Sequence, residues 1–262
     1  MIKKIFPFLA ISLILSSCSE EFKPHVLPLN TYHIYCDSLV FDSIHEHFKE
    51  NIYVDATIEH KQLKRKSKLR IRGDSSREYP KKSLKVKITE GMRLFETKKF
   101  NFNAEYKDLS FSHSYMSSLV FREIGYPCFL SSYAKLFVNN AFHGLFLEIE
   151  NMDKDFLIRN GLNPKGDLFK ATKDGACLYS VDEVNSKWER KTNKKSSWQP
   201  LMKLIEHINS VADEDFFVFI NENFNYTKLI DYLAVNIFIA NGSTNYHNYY
   251  LYRDAENNYE TN

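Results

Sequence analysis

Arg72-Gly73-Asp74-Ser75-Ser76-Arg77, followed by Pro80-Lys81-Lys82-Ser83, sets arginine and lysine on both sides of a glycine turn. Strand ends that carry such side chains around backbone N–H groups can hold an anion such as phosphate. The same residues would also make an ordinary charged hairpin, and Arg-Gly-Asp at 72–74 is too short a string to mark an adhesion motif. Three further segments could join this one. Between Gly144 and Asp153, Glu150 ends a strand and Asp153 opens a helix as its N-cap. Gly166-Asp167-Leu168-Phe169-Lys170 is a turn into a short strand ending in lysine. Asn241 to Asn248 is a polar loop between an apolar helix and an apolar strand, and its His247 has no second histidine at a ligand spacing.

The elements that must position these groups follow from periodicity. Ile52, Val54, Ala56 and Ile58 alternate with polar residues, as in a half-buried strand. Lys61 to Lys68 reads as a solvated basic hairpin loop, and Lys68 to Arg72 as a second strand. In the third strand, Lys82 shares a face with Leu84, Val86 and Ile88, whereas Lys81, Lys85 and Lys87 make a wet face. An ammonium in line with a buried face needs a partner, because burying an unpaired charge is costly. Ser110 to Ile124 has helical spacing. Ala134 to Glu150 is a hairpin signal around Asn139-Asn140, and Asp153 to Ile158 a short helix. Residues 183–200 are polar and basic around Trp188 and Trp198 and read as a long, mobile surface loop. Helical patterns then run through 201–209, 214–221 and 227–240, and Tyr249 to Tyr252 is a last strand.

Strands therefore dominate the first half and helices the second. The expected architecture is α+β, with a β-rich lobe over 31–150, a helical lobe over 151–262 and a cleft between them. With 44% hydrophobic residues, 21 Phe and 16 Tyr, the chain has ample core. It carries neither the glycine-rich dinucleotide fingerprint nor the P-loop.

The N-terminus predicts where the domain resides. Lys3 and Lys4 precede an apolar run from Ile5 to Leu15, which is too short to span a bilayer and ends at Ser16-Ser17-Cys18. Residues 1–17 read as a lipoprotein signal and 18–30 as a tether, with Cys18 the lipidated N-terminus. The expected location is the bacterial cell envelope, lipid-anchored outside the cytoplasm. Ser19-Glu20-Glu21 resembles an outer-surface export signal. An ordinary signal with a chance cysteine is the alternative. Loss of Lys3 and Lys4 brings 35 basic residues down to match 33 acidic ones, so nothing points to nucleic acid. Cys36, Cys128 and Cys177 lack zinc spacing and leave one disulfide or free thiols open.

Together the four segments resemble the CotH family of atypical protein kinases. Arg72 to Arg77 with Pro80 to Ser83 is similar to the family's R-G-N-S-[ST]-R-x-x-P-K-K-S, with Asp74 for Asn. Asn103 to Ser110, Gly144 to Asp153, Gly166 to Lys170 and His247 to Tyr252 match its other motifs in the family order. The resemblance covers roughly residues 50–254. It implies a protein-kinase-like fold that transfers the γ-phosphoryl of ATP to serine in a protein substrate, with Mg²⁺ as the metal. It also implies roles: Lys82 would meet the nucleotide phosphates with Arg72 nearby, Glu150 would sit at the interlobe hinge, and Asn248 would hold the metal.

The chain departs from the pattern at defined places. Five positions before Asn248, where the family places its base Asp, stands Ser243, and an alcohol does not accept a proton as a carboxylate does. His113 occupies a position where relatives commonly place arginine. No W-D-x-D segment follows residue 252, so the helical lobe reads as incomplete and the chain as apparently truncated. These departures leave three expectations: a serine kinase of weak or absent activity, a non-catalytic cell-surface binding or scaffold lipoprotein for a nucleotide, glycan or protein ligand, and a fragment of a longer gene product.

Overall fold

The computed structural model describes residues 29–94, 97–173, 175–245, 247–254 and 259–261. Cys18, the signal segment and most of the tether lie outside the described residues. The strands of the first lobe are β1 (Leu29–Tyr35), β2 (Val54–His60), β3 (Leu63–Arg72), β4 (Ser83–Ile88), β5 (Lys99–Asn103), β6 (Ser131–Val138) and β7 (Ala141–Ile149). Helices α1 (Ser38–Glu46) and α2 (His113–Glu123) flank them. The strands close into a barrel in the order β1-β2-β3-β4-β5-β7-β6, and the parallel β1–β6 pair makes the seam. Closure leaves no edge strand in the barrel. Its interior is filled by alternate residues, among them Ile58, Leu69, Ile71, Leu84, Val86, Phe100, Phe102 and Phe146, none more than 1% exposed.

The expected loop over 61–68 is a correction. Only Lys61 and Gln62 turn, both with left-handed backbone (φ 47° and 65°), and β3 is paired from Leu63 onward. Such two-residue turns match the natural twist of a hairpin. The basic run hid a strand because Lys64, Lys66 and Lys68 all point outward, while the inward Ser67 donates to the Ala56 carbonyl at 3.1 Å. The second hairpin is equally tight. Asn139 and Asn140 have φ of 48° and 68°, which asparagine tolerates better than most residues.

The second lobe comprises α3 (Lys154–Arg159), β8 (Asp167–Ala171), α4 (Val184–Lys187), β9 (Trp188–Arg190), α5 (Gln199–Ser210), α6 (Phe216–Asn223), α7 (Tyr226–Phe238), β10 (Tyr250–Arg253) and β11 (Tyr259–Thr261). Its sheet has the order β11-β10-β8-β9. The expected N-cap forms, with Asp153 accepting from the Asp155 amide at 3.1 Å. The expected mobile loop over 183–200 does not. Trp188 is 5% exposed and meets Tyr249 edge-on at 5.4 Å, Trp198 lies against Phe169, and Arg190 is buried. Two indole rings in a basic stretch were anchors, and their burial draws β9 onto β8. Cys36, Cys128 and Cys177 are free thiols. No helix among the described residues is long and apolar enough to cross a membrane.

Candidate functional site: a cationic cleft between the lobes

Two rows of side chains face each other across the cleft. On the barrel, Arg70, Lys85 and Asn101 are cross-strand neighbours on the outer face, with Arg72 two residues further along β3. On the second sheet, Tyr250, Lys170 and Glu189 are neighbours in the same way, and Lys191 follows β9. Electrostatic coupling joins the rows: Arg72 responds to Tyr250, Lys85 to Lys191, and Lys170 to Arg72 and Asp74.

The cleft holds more positive than negative charge. Burial, then the charges of Lys191, Arg72, Arg70 and Lys99, bring the Lys85 ammonium down from 10.5 to about 7. Burial also lowers Lys170, with Lys191 and Arg72 adding to it. Burial takes even the Arg72 guanidinium to about 10, against the opposing pull of Tyr250 and Glu105. Burial pushes Glu189 upward, but Lys191 at 3.2 Å and the charge of Lys170 hold it below its ordinary value. Cations whose charge is disfavoured by their own surroundings are complementary to an incoming polyanion.

The turn that starts the cleft is built from the R-G-D-S-S-R run. Gly73 has φ of 115°, and a Cβ there would lie 2.1 Å from Ser76 Oγ, so glycine alone fits. Arg77 fastens the turn by donating to the carbonyls of Gly73 (2.8 Å), Lys49 (2.9 Å) and Glu50 (3.0 Å).

The expected site residues divide. Arg72 lies in the cleft and donates to Asn103 Oδ1. Lys82 is engaged elsewhere. Its ammonium donates to the Arg77 carbonyl and sits 4.0 Å from the Phe48 ring, and no hydrogen bond or ion pair among the described residues joins it to the cluster. Lys82 does need a partner, and it finds one in the Arg77 carbonyl of its own turn and in the Phe48 ring. Lys85, read as part of a wet face, is the lysine that β4 sends into the cleft, where it donates to Asn151 Oδ1 at 3.0 Å. That correction has a physical cause: the second sheet covers this face, and alternation within one strand does not reveal what lies above it.

Glu150 does lie between β7 and α3, at the lobe junction, where it pairs with Arg159 at 2.6 Å and accepts from the Leu130 amide at 3.0 Å. It is outside the cationic rows. Ser243 is exposed in the turn over 242–245, its hydroxyl donating to Asn241 Oδ1 at 3.2 Å. Asn248 is exposed, with φ of 63° and its amide on the Ala171 carbonyl at 2.9 Å. Sequence reasoning missed Lys85, Glu189 and Lys191. The signal for the last two was Trp188, a large apolar residue that seldom sits in an open loop.

A closed β-barrel and a second, largely helical lobe with a cluster of cations at their junction define a two-lobed, kinase-like α+β protein. The family described as CotH kinase protein matches residues 69–261, from β3 to β11, and the chain belongs to that family. It is also similar to inner spore coat protein H of Bacillus subtilis (strain 168), with 27% identity over 193 residues. That similarity covers 71% of this chain and 53% of the relative, so the chain spans about half the length of the curated relative it matches.

ATP phosphates fit the donor set of the cleft: Arg72, Lys85, Lys170 and Lys191 supply charge-assisted N–H donors. Mg²⁺ fits less well. It seeks carboxylates and phosphate oxygens, and among the described residues no group of three His, Cys, Asp or Glu side chains could hold a metal ion.

Proposed function

We propose that this chain is a CotH-family, kinase-like lipoprotein whose interlobe cleft binds the phosphate chain of ATP, with serine phosphotransfer weak or absent. The observation that carries the reading is the convergence of Arg72, Lys85, Lys170 and Lys191 in a buried cleft with Glu189 as the acid closest in register. Ser243 at the base position supports a binding role over a catalytic one, because positioning without proton acceptance leaves the transfer step slow. A protein substrate or surface partner would then be recognised without being efficiently phosphorylated.

A thermal-shift titration with ATP, run with and without Mg²⁺, tests this. The expected result is a rise in melting temperature that persists in EDTA, with transfer of ³²P to serine near background. No shift under either condition would remove the nucleotide reading, and robust transfer would reinstate the enzyme.

Anchoring at Cys18 belongs to the same proposal and rests on the sequence. Expressed in a bacterial host, the full chain should incorporate labelled fatty acid and partition with membranes. Cys18→Ser should lose both, and unchanged labelling of that variant would refute the anchor. Several acyl chains on one residue hold firmly, whereas one holds marginally.

A further inference from the structure

A second polar cavity adjoins the cationic cleft at the lobe junction and shares Asn151 with it, but it contains none of Arg72, Lys85, Lys170 and Lys191. A cavity of about 880 Å³ opens at the barrel's end, between the barrel strands and α3, within the range of small-molecule sites. Tyr32 and His60 lie deep in it, 2% and 4% exposed, with rings stacked at 4.3 Å. His60 Nδ1 donates to the Thr31 carbonyl at 2.7 Å, which fixes the ring.

Glu148 lines the same cavity. Its Oε2 accepts from the Tyr32 hydroxyl (2.8 Å), Asn30 Nδ2 (3.3 Å) and Ser132 Oγ (3.3 Å). All three hydrogen bonds go to that one oxygen. Oε1 accepts none among the described residues, and no lysine or arginine among them pairs with Glu148. A carboxylate with one oxygen clamped and the other presented is a prepared acceptor, held in place by its neighbours as functional groups require.

The surroundings indicate what it accepts from. The other acids at the mouth are each matched: Glu150 by Arg159 at 2.6 Å, Asp155 by Arg93 at 2.8 Å and Asp153 by Lys99. Counting Lys61 and Glu148, the lining holds four basic and four acidic side chains. Such a rim has no net charge to select a charged ligand, yet it offers both donors and acceptors. Unlike the interlobe cleft, it suits hydroxyl groups, which both donate and accept.

We propose that the barrel mouth binds a neutral, hydroxyl-rich ligand of sugar size, with Glu148 Oε1 accepting a hydrogen bond from a ligand hydroxyl. The proposal stands on the geometry around Glu148 and does not rest on the nucleotide reading.

Saturation-transfer NMR with glucose, galactose, mannose, N-acetylglucosamine, maltose and chitobiose tests it, with glucosamine and glucuronate as charged comparators. At least one neutral sugar should give saturation transfer. Glu148→Gln keeps the volume but turns an NH₂ toward the cavity once the amide oxygen takes the three donors. It should weaken that sugar at least tenfold while leaving the circular-dichroism melt cooperative. Leu130→Trp, which fills the mouth without touching Glu148, should weaken it similarly and keeps the test decisive if Glu148→Gln misfolds. Absence of transfer to every neutral sugar would overturn the proposal, as would sugar binding that survives a folded variant. Glucosamine binding tenfold tighter than glucose, and lost in Glu148→Gln, would replace it with an amine site.

Discussion

Lys85→Met is expected to bind ATP at least tenfold more weakly than the natural protein and to melt at a higher temperature. Both signs come from one fact. In the cleft Lys85 is surrounded by Lys191, Arg72, Arg70 and Lys99, and burial together with these charges brings its ammonium down from 10.5 to about 7. A folded-state pKa below the unfolded value means that folding disfavours the charged lysine. The penalty is complete below about pH 7, where both states are protonated, and fades between 7 and 10.5, where the unfolded chain holds the extra proton. Stability of the natural protein should therefore rise with pH across that window, and Lys85→Met should lose this contribution to the rise. Lys170, lowered by burial and the same neighbours, contributes in the same direction.

Anion binding reverses the balance, because a phosphate favours the protonated lysine. Affinity for ATP, or for inorganic pyrophosphate as a probe without a base or sugar, should fall as pH rises above 7. One required proton sets a limit of about tenfold per pH unit. Isothermal titration at pH 6.5, 7.5 and 8.5 reads this directly. A Lys85→Met protein of unchanged affinity, or a natural protein whose affinity is flat with pH, would dissociate Lys85 from phosphate binding. Such a trade between stability and binding is common where a site holds unfavourable charge in readiness.

Arg190→Met should destabilise the protein by about 3 kcal/mol or more, measured by urea unfolding. Arg190 and Asp167 form an ion pair at 2.7 Å with side chains 3% and 11% exposed. The guanidinium also lies 4.6 Å from the Phe169 ring and donates to the Ser197 carbonyl. Removing one member of a buried pair strands the other, at a cost of about 3–5 kcal/mol. Here Asn193 Nδ2 at 2.9 Å and Arg253 at 3.5 Å stay with Asp167, which puts the loss at the lower end. The double variant Arg190→Met with Asp167→Asn should recover much of it, since no buried charge is then left alone. A loss below about 1 kcal/mol in the single variant would show the pair to be effectively solvated. Because β8 and β9 carry Lys170 and Glu189, the single variant should also weaken ATP.

Parts of this architecture were legible in the residue order. Alternation of apolar and polar residues located β2, the end of β3, β4 and the β6–β7 hairpin, and 3.6-residue spacing located α2, α5 and α7. The spaced R-G-D-S-S-R and P-K-K-S residues carried the family, and Asp153 carried its own cap. What alternation missed was masked by composition. β3 begins inside a lysine-rich run, β9 inside a polar one, and β1 begins at Leu29 in the stretch that read as tether. β5, Lys99–Asn103, holds alternating Phe and Asn in only five residues, too few for period 2 to stand out. Glu148 gave no signal, because a single acid in an apolar strand acquires meaning only from Tyr32, Asn30 and Ser132 on other strands.

The cationic turn at 72–83 shows where the division falls. By itself the sequence determined that this segment is two strand ends around a glycine turn, that Arg72 and Lys82 lie at those ends, and that Lys82 needs a partner. Those are local facts, set by backbone sterics and by the alternation of side chains. Only the tertiary structure decided that Lys82 is satisfied by Phe48 and the Arg77 carbonyl, and that Lys85 enters the cleft. A strand specifies two faces, but the environment of each depends on what packs over it, and here that is a sheet whose strands begin more than eighty residues later.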